Sequence, residues 1–234
     1  MTTTLKEATE QLDVIRTYWY FKLSDLYPFF GYICFHVNVK IDTYSDTAYA
    51  GNKTIGLNPS FLQSLSSTEE RFGLLTHELL HLILRHQSRR GQRDPELWNI
   101  AADFEINCMM MQKGMFKLPP QALHNVKFND MTAEQIYEEL LTQTEKYQLA
   151  MPDLNSPPSE SDSDPNSNTP KDITDVLSEI ANPKKQTADD EDWAQILTAA
   201  YEATKDKTKG YIPGFVTELV TNYTNPQIPW REIL

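Results

Sequence analysis

Apolar positions recur at helical spacing over residues 5–26. Leu5, Ala8, Leu12 and Ile15 are followed by Tyr18, Trp19 and Phe21, a pattern that predicts one or two helices. Tyr27-Pro28-Phe29-Phe30-Gly31 breaks it. Ile33 to Ile41 partly alternates and is rich in β-branched residues, which predicts a strand. Ala48-Tyr49-Ala50 and Lys53-Thr54-Ile55-Gly56-Leu57 flank Gly51-Asn52, residues that tolerate positive φ, so two short strands around a tight turn are expected. A small sheet thus precedes the most regular part of the chain.

Asn58-Pro59 predicts a short helix, with Asn as N-cap and Pro at the first helical position. Ser66-Ser67-Thr68-Glu69-Glu70 holds overlapping capping boxes, and apart from Gly73 no breaker follows until Gly91. One long helix from about 68 to 89 is expected. Leu74, Leu75, Leu79, Leu80, Leu82, Ile83 and Leu84 make it apolar nearly all round, hence buried. Asp94-Pro95 opens a further helix through Met111, on which Asn99, Asp103 and Asn107 form a polar stripe at i, i+4 and i+8. Thr132-Ala133-Glu134-Gln135 is another capping box, opening an amphipathic helix to about 147.

Residues 151–171 are rich in Pro, Ser, Asp and Asn and nearly lack apolar side chains, which reads as a linker or disordered loop. Beyond it a short helix over 172–181 is expected. A longer one is striped by Trp193, Ile196, Leu197, Ala200 and Ala203, and a last one runs from Pro213 to Tyr223. The expected architecture is α+β and mainly helical. A core over 1–150 is joined by the 151–171 segment to C-terminal helices, 172–234, that pack back on it.

Composition sharpens this in three ways. The net charge is −12, and residues 151–192 carry eleven acids against three lysines, a net −8 of that total. Such a chain is a poor binder of phosphate backbones, so no nucleic-acid partner is expected. The short basic cluster Arg85, Arg89, Arg90 and Arg93 falls at an expected helix C-terminus, where it complements the macrodipole. No apolar run approaches the ~20 residues of a membrane span, and the N-terminal residues lack the layout of a signal peptide. With only Cys34 and Cys108 present, reduced core thiols and a cytoplasmic location are expected.

The chemistry concentrates in Thr76-His77-Glu78-Leu79-Leu80-His81. On a helix His77 and His81 share one face, a pair suited to clamping one metal ion, and Glu78 can reach the open coordination position. This is the H-E-x-x-H pattern of zinc peptidases, in which Zn2+ lowers the pKa of a bound water and the glutamate takes its proton. Such a site takes a third protein ligand. On an unbroken helix His86 would lie about 140° around the axis from His81 and about 180° from His77, so it is expected at the helix end or behind the ligands. Asp103 is the expected third ligand, with Asn99 and Asn107 orienting it or a histidine. Glu105, about 160° from the Asn99–Asp103–Asn107 stripe, is its rival.

Gly56-Leu57-Asn58-Pro59-Ser60-Phe61, His77-Glu78-Leu79-Leu80-His81, Arg89-Arg90-Gly91 and the run from Asp94 to Asn107 occur together with Leu118-Pro119-Pro120. Met131-Thr132-Ala133-Glu134-Gln135-Ile136-Tyr137 and Ile228-Pro229-Trp230-Arg231-Glu232-Ile233-Leu234 accompany them. The compound pattern resembles the zincin-like metallopeptidase domain that precedes a von Willebrand A-like domain in a family of bacterial and phage proteins. The resemblance implies that His77 and His81 bind zinc, that Glu78 is catalytic and that Asp103 is the third ligand. It implies a peptide or protein substrate, and a von Willebrand A-like domain or an ATPase as partner. A catalytically silent zinc-binding module serving such a partner is the alternative. Two departures stand out. The sequence ends where the von Willebrand A-like domain would begin, and Asp189-Asp190-Glu191-Asp192-Trp193 lacks the histidine expected in that acidic motif.

Overall fold

In the computed structural model, which describes residues 5–119, 122–150, 183–205 and 221, eight α-helices surround a three-stranded sheet. Helix α1 (Leu5–Leu26) and α2 (Pro28–Cys34) lead into β1 (Asn38–Ile41), β2 (Ala48–Gly51) and β3 (Thr54–Leu57). Then come α3 (Pro59–Ser64), α4 (Thr68–Ile83), the single turn α5 (His86–Arg89) and α6 (Pro95–Lys113). A 3-10 turn at Val126–Phe128, α7 (Ala133–Ala150) and α8 (Pro183–Thr204) complete the described elements. This is the expected α+β, mainly helical fold. The segment 151–171, the short helix over 172–181 and nearly all of the helix from Pro213 to Tyr223 lie outside the described residues. No helix among the described residues is long and apolar enough to cross a membrane.

The strand expected from Ile33 begins only at Asn38. Pro28 sits at the N-terminus of α2, where its missing N–H costs nothing, and Phe29, Phe30, Ile33 and Cys34 are all buried in a helical turn. Alternation is weak there because nearly every apolar side chain faces the core. The other two strands fall where expected. Asn52 and Lys53 both take positive φ, 48° and 55°, and close a tight turn between β2 and β3.

In the sheet, β3 is central. It pairs in parallel with β1 and antiparallel with β2, so β2 is the outer strand on its side among the described residues. The Thr47 carbonyl accepts from the Asn58 N–H at 2.7 Å. The alternation of an antiparallel ladder therefore turns the peptide groups of Ala48 and Ala50 toward the open edge. Tyr49 lies across from Gly56, and a Cβ built on Gly56 would stand 2.2 Å from the Tyr49 ring. Only glycine lets that ring lie flat on β3.

Helix α4 runs through the main core, with Leu75, Leu79, Leu80 and Ile83 fully buried. Ser67 caps it by accepting from the Glu70 N–H at 3.2 Å, while the Glu70 carboxylate accepts from the Ser66 N–H at 2.9 Å and from Lys117 Nζ at 2.8 Å. Gly73 lets the Lys117–Leu118 segment cross α4 closely, since a Cβ there would stand 2.1 Å from the Lys117 carbonyl oxygen. Trp19 of α1 is wholly buried and donates to Thr76 Oγ1 at 3.0 Å, which fixes α4 one residue ahead of His77. Trp193, Leu197 and Ala200 of α8 join the same core and Ile196 packs against it, whereas Ala203 of the expected stripe is exposed. A second, smaller core of Trp98, Ala101, Ala102, Phe128, Ala133 and Ile136 sits between α6 and α7.

Candidate metal centre

Helix α4 carries His77, Glu78 and His81, and α6 presents Asp103 to them. His81 Nε2 stands 3.0 Å from His77 Nε2 and 3.1 Å from Asp103 Oδ1, and His77 Nε2 is 3.3 Å from the same oxygen. These three form the one group among the described residues whose donor atoms converge closely enough to hold a metal ion. Ligands about 2.0–2.1 Å from a tetrahedral ion stand roughly 3.3–3.4 Å apart, so the triangle is within a few tenths of an ångström of that size.

The outer nitrogens of both rings are occupied, which leaves the inner ones for a ligand. His77 Nδ1 donates to Asn107 Oδ1 at 2.9 Å, and the Asn107 amide is itself fixed by donating through Nδ2 to the Leu123 carbonyl at 2.9 Å. His81 Nδ1 is 3.0 Å from His86 Nδ1. Two inward lone pairs and a carboxylate oxygen in mutual contact need a positive charge among them. Burial pulls the His77 pKa down, but its hydrogen bond to Asp103 and the charges of Glu78 and Asp103 outweigh burial and raise it. Burial dominates at His81 and lowers its pKa to about 4. Asp103 is pushed up by burial yet held well below the usual carboxylate range by its close contacts with His77 and His81. The donor set, two imidazoles and a carboxylate with an open side, suits zinc.

Glu78 is buried, 7% exposed, and lines the cavity beside the histidines. Burial raises its pKa to about 7, with the Asp103 charge adding to the rise and His77 opposing it. The cavity, about 350 Å3, has β2 residues Ala48, Tyr49 and Ala50 on one wall and Leu118, Pro119 and Leu123 on another.

The structure alters the sequence expectation at His86. Helix α4 ends at Ile83 because Arg85 takes a left-handed conformation, φ 57°, and a new turn starts at His86. That conformation costs a non-glycine residue roughly 1–2 kcal/mol. Side chains bond the carbonyls around the break, of which those of Arg85 and His86 also accept the Arg89 and Arg90 N–H groups. Arg89 Nη1 donates to Leu84 O at 3.0 Å, Ser88 Oγ to Arg85 O at 3.1 Å and Trp98 Nε1 to His86 O at 2.8 Å. The long helix to 89 is thus two pieces, and His86 swings against His81 instead of pointing away. It stands behind His81, on the side away from His77 and Asp103, because the break turns its side chain back toward α4.

Asn107, expected to orient a ligand, is hydrogen-bonded to His77. Asn99 is not: it lines the cavity and is exposed, and it shows no side-chain bond to a site residue among the described residues. Glu105, the rival ligand, lies away from the triangle. Its Oε2 accepts from His86 Nε2 at 2.9 Å, from the Ala133 N–H at 2.8 Å and from Arg89 Nη2 at 3.4 Å. Arg89 also holds Glu134, at 3.0 and 2.6 Å. Arg93 lies over the Trp98 and Tyr137 rings. Arg89 and Arg93 thus serve tertiary contacts beyond the helix-end role read from sequence.

Fold and site together define an α+β domain with a candidate metal centre of two histidines and an aspartate. Residues 20–234 match the family described as "Putative metallopeptidase domain", and the chain belongs to that family. Comparison with curated proteins gave no match, nor did comparison with solved structures.

Proposed function

We propose that this chain is a zinc-dependent peptidase in which His77, His81 and Asp103 hold the ion and Glu78 is the general base. The observation that carries this reading is the burial of Glu78 beside three converging ligands, in a cavity walled by an outer strand. The chemistry a zinc ion held by these three residues would supply is polarisation of a carbonyl and a water pKa lowered toward about 7. Glu78 takes the proton from the attacking water and passes it to the leaving amine. Without a metal, burial raises the Glu78 pKa to about 7; a cation held beside it would favour the carboxylate form, the form that accepts the proton. The edge of β2 that no described strand covers offers the Ala48 and Ala50 peptide groups to an extended substrate, which lies along the strand and brings its scissile bond to Glu78. Asn99, exposed on the cavity wall one turn before Asp103, is available to a substrate amide.

The test is cleavage of unfolded protein by the zinc-loaded chain. Glu78→Gln keeps zinc and loses activity by at least about 100-fold, whereas His81→Ala loses both. Undiminished zinc in His81→Ala overturns the ligand set. Full zinc binding with no cleavage by wild type, alone or with a von Willebrand A-like domain or ATPase partner, favours the catalytically silent module instead.

A further inference from the structure

We infer that Glu105 and His86 are positioning residues that set which ring nitrogen of His81 faces the metal. This rests on the reading of His77, His81 and Asp103 as ligands, and not on catalysis.

A chain of polar contacts runs from the α6–α7 junction to the cavity. Arg89 and the Ala133 N–H fix Glu105, Glu105 faces His86 Nε2 at 2.9 Å, and His86 Nδ1 faces His81 Nδ1 at 3.0 Å. His86 is 3% exposed and Glu105 9%, so water does not substitute for either contact. Each step leaves one choice. Glu105 Oε2 accepts only, so His86 Nε2 carries the proton; the other tautomer would aim a lone pair at a buried carboxylate. His86 Nδ1 is then an acceptor, and only an N–H on His81 Nδ1 satisfies it. His81 is left with its lone pair on Nε2, the atom 3.0 Å from His77 Nε2 and 3.1 Å from Asp103 Oδ1. A carboxylate two rings away thereby decides that His81 presents a ligand atom to the cavity. Carboxylates behind a metal-binding histidine commonly orient it directly. Here the effect crosses a second imidazole, and it exists only because Arg85 breaks the helix.

The relay also accounts for the α5 turn. Without the left-handed Arg85, His86 would leave His81 Nδ1 facing the core without a partner. The Trp98 bond to the His86 carbonyl holds the backbone of that turn, and the Arg89 bonds to Glu105 and Glu134 brace its far end.

The experiment uses the full chain, zinc-loaded and zinc-stripped, with long-range proton–nitrogen NMR of the histidine rings and zinc affinity by chelator competition. Wild type is expected to show His86 protonated at Nε2 in both states, and His81 at Nδ1 even without zinc. Glu105→Leu is expected to bind zinc about 10–100-fold more weakly and to show mixed His81 tautomers. Glu105→Gln, whose amide oxygen still accepts from His86, stays close to wild type in both readouts. A purely structural role for Glu105 would lower the unfolding temperature without moving the tautomers. His81 protonated at Nε2 in stripped wild type overturns the inference, as does unaltered zinc affinity in Glu105→Leu. If Glu105→Leu does not fold, the wild-type tautomers decide, together with His86→Phe, which keeps the ring and removes both nitrogens. Failure of peptide cleavage leaves every one of these readouts intact, so the two readings fail separately.

Discussion

Asn107 Oδ1 accepts a 2.9 Å hydrogen bond from Nδ1 of His77, and the Asn107 Nδ2 group is tied at 2.9 Å to the Leu123 carbonyl. Two helices and the loop after α6 therefore agree on the orientation of one imidazole. Asn107 is 3% exposed, so the bond is not exchanged for water. Asn107→Leu is expected to weaken zinc binding about 10–100-fold, by freeing the His77 ring and leaving its N–H unpaired. Asn107→Asp keeps the acceptor for His77 but sets a carboxylate oxygen against the Leu123 carbonyl, so it recovers only part of the affinity. Chelator competition measures both, and equal affinity in Asn107→Leu and wild type would show that the bond orients nothing.

The outward peptide groups of β2 give a prediction about substrate alone. Ala50→Pro removes an N–H that points away from β3, which an edge strand tolerates, so the ladder and the zinc affinity are retained. Cleavage of an extended substrate falls by about tenfold, the effect of one lost hydrogen bond of about 1.4 kcal/mol. The loss is read in kcat/KM. Full activity in Ala50→Pro, with circular dichroism unchanged, means that the substrate does not pair along this edge.

Gly73 bears on the opposite cavity wall. Glycine to alanine inside a helix ordinarily stabilises by up to about 1 kcal/mol. Here the new methyl would meet the Lys117 carbonyl oxygen at 2.1 Å, a backbone atom that cannot move without shifting Leu118, a residue of the cavity wall. Gly73→Ala is therefore expected to destabilise by about 1–3 kcal/mol. Denaturant unfolding of the zinc-stripped protein gives the sign directly, and a stabilised variant would mean the crossing is looser than the structure has it.

How much of this could be read from the residues depends on whether the determinant was local. His77, Glu78 and His81 are bound by helical spacing alone, and Asp103 and Asn107 follow from one stripe on the next helix. Those positions came together as expected. Arg85 did not announce itself, because nothing in Leu84-Arg85-His86 favours a left-handed residue. The groups that stabilise it are Trp98 on α6 and Arg89, whose own anchors are Glu105 and Glu134. Glu105 lies away from the stripe, as its angle requires, but its contact with His86 depends on the break at Arg85, which helical spacing does not encode. Ile33 and Cys34 misled for a different reason: a short buried run has no periodicity that separates a helical turn from a strand.

The Arg89–Glu134 pair predicts an acid-sensitive contribution to stability that is independent of the metal. Burial alone would raise the Glu134 pKa, but the hydrogen bond and charge of Arg89 lower it from 4.5 to about 2. A depressed carboxylate stabilises the fold above its unfolded pKa and loses that contribution as pH falls through the folded value. Glu134→Gln should therefore be less stable than wild type at pH 7, by about 1–3 kcal/mol for a hydrogen bond to a charged group. The gap should narrow between about pH 4.5 and pH 2 as the wild-type carboxylate takes up its proton. Glu105 also bonds Arg89, so removing Glu134 shifts Arg89 toward Glu105 and moderates the loss. Thermal unfolding of both stripped proteins across that range checks it. A gap that stays constant or widens toward pH 2 would show that Glu134 contributes by packing and not by its charge.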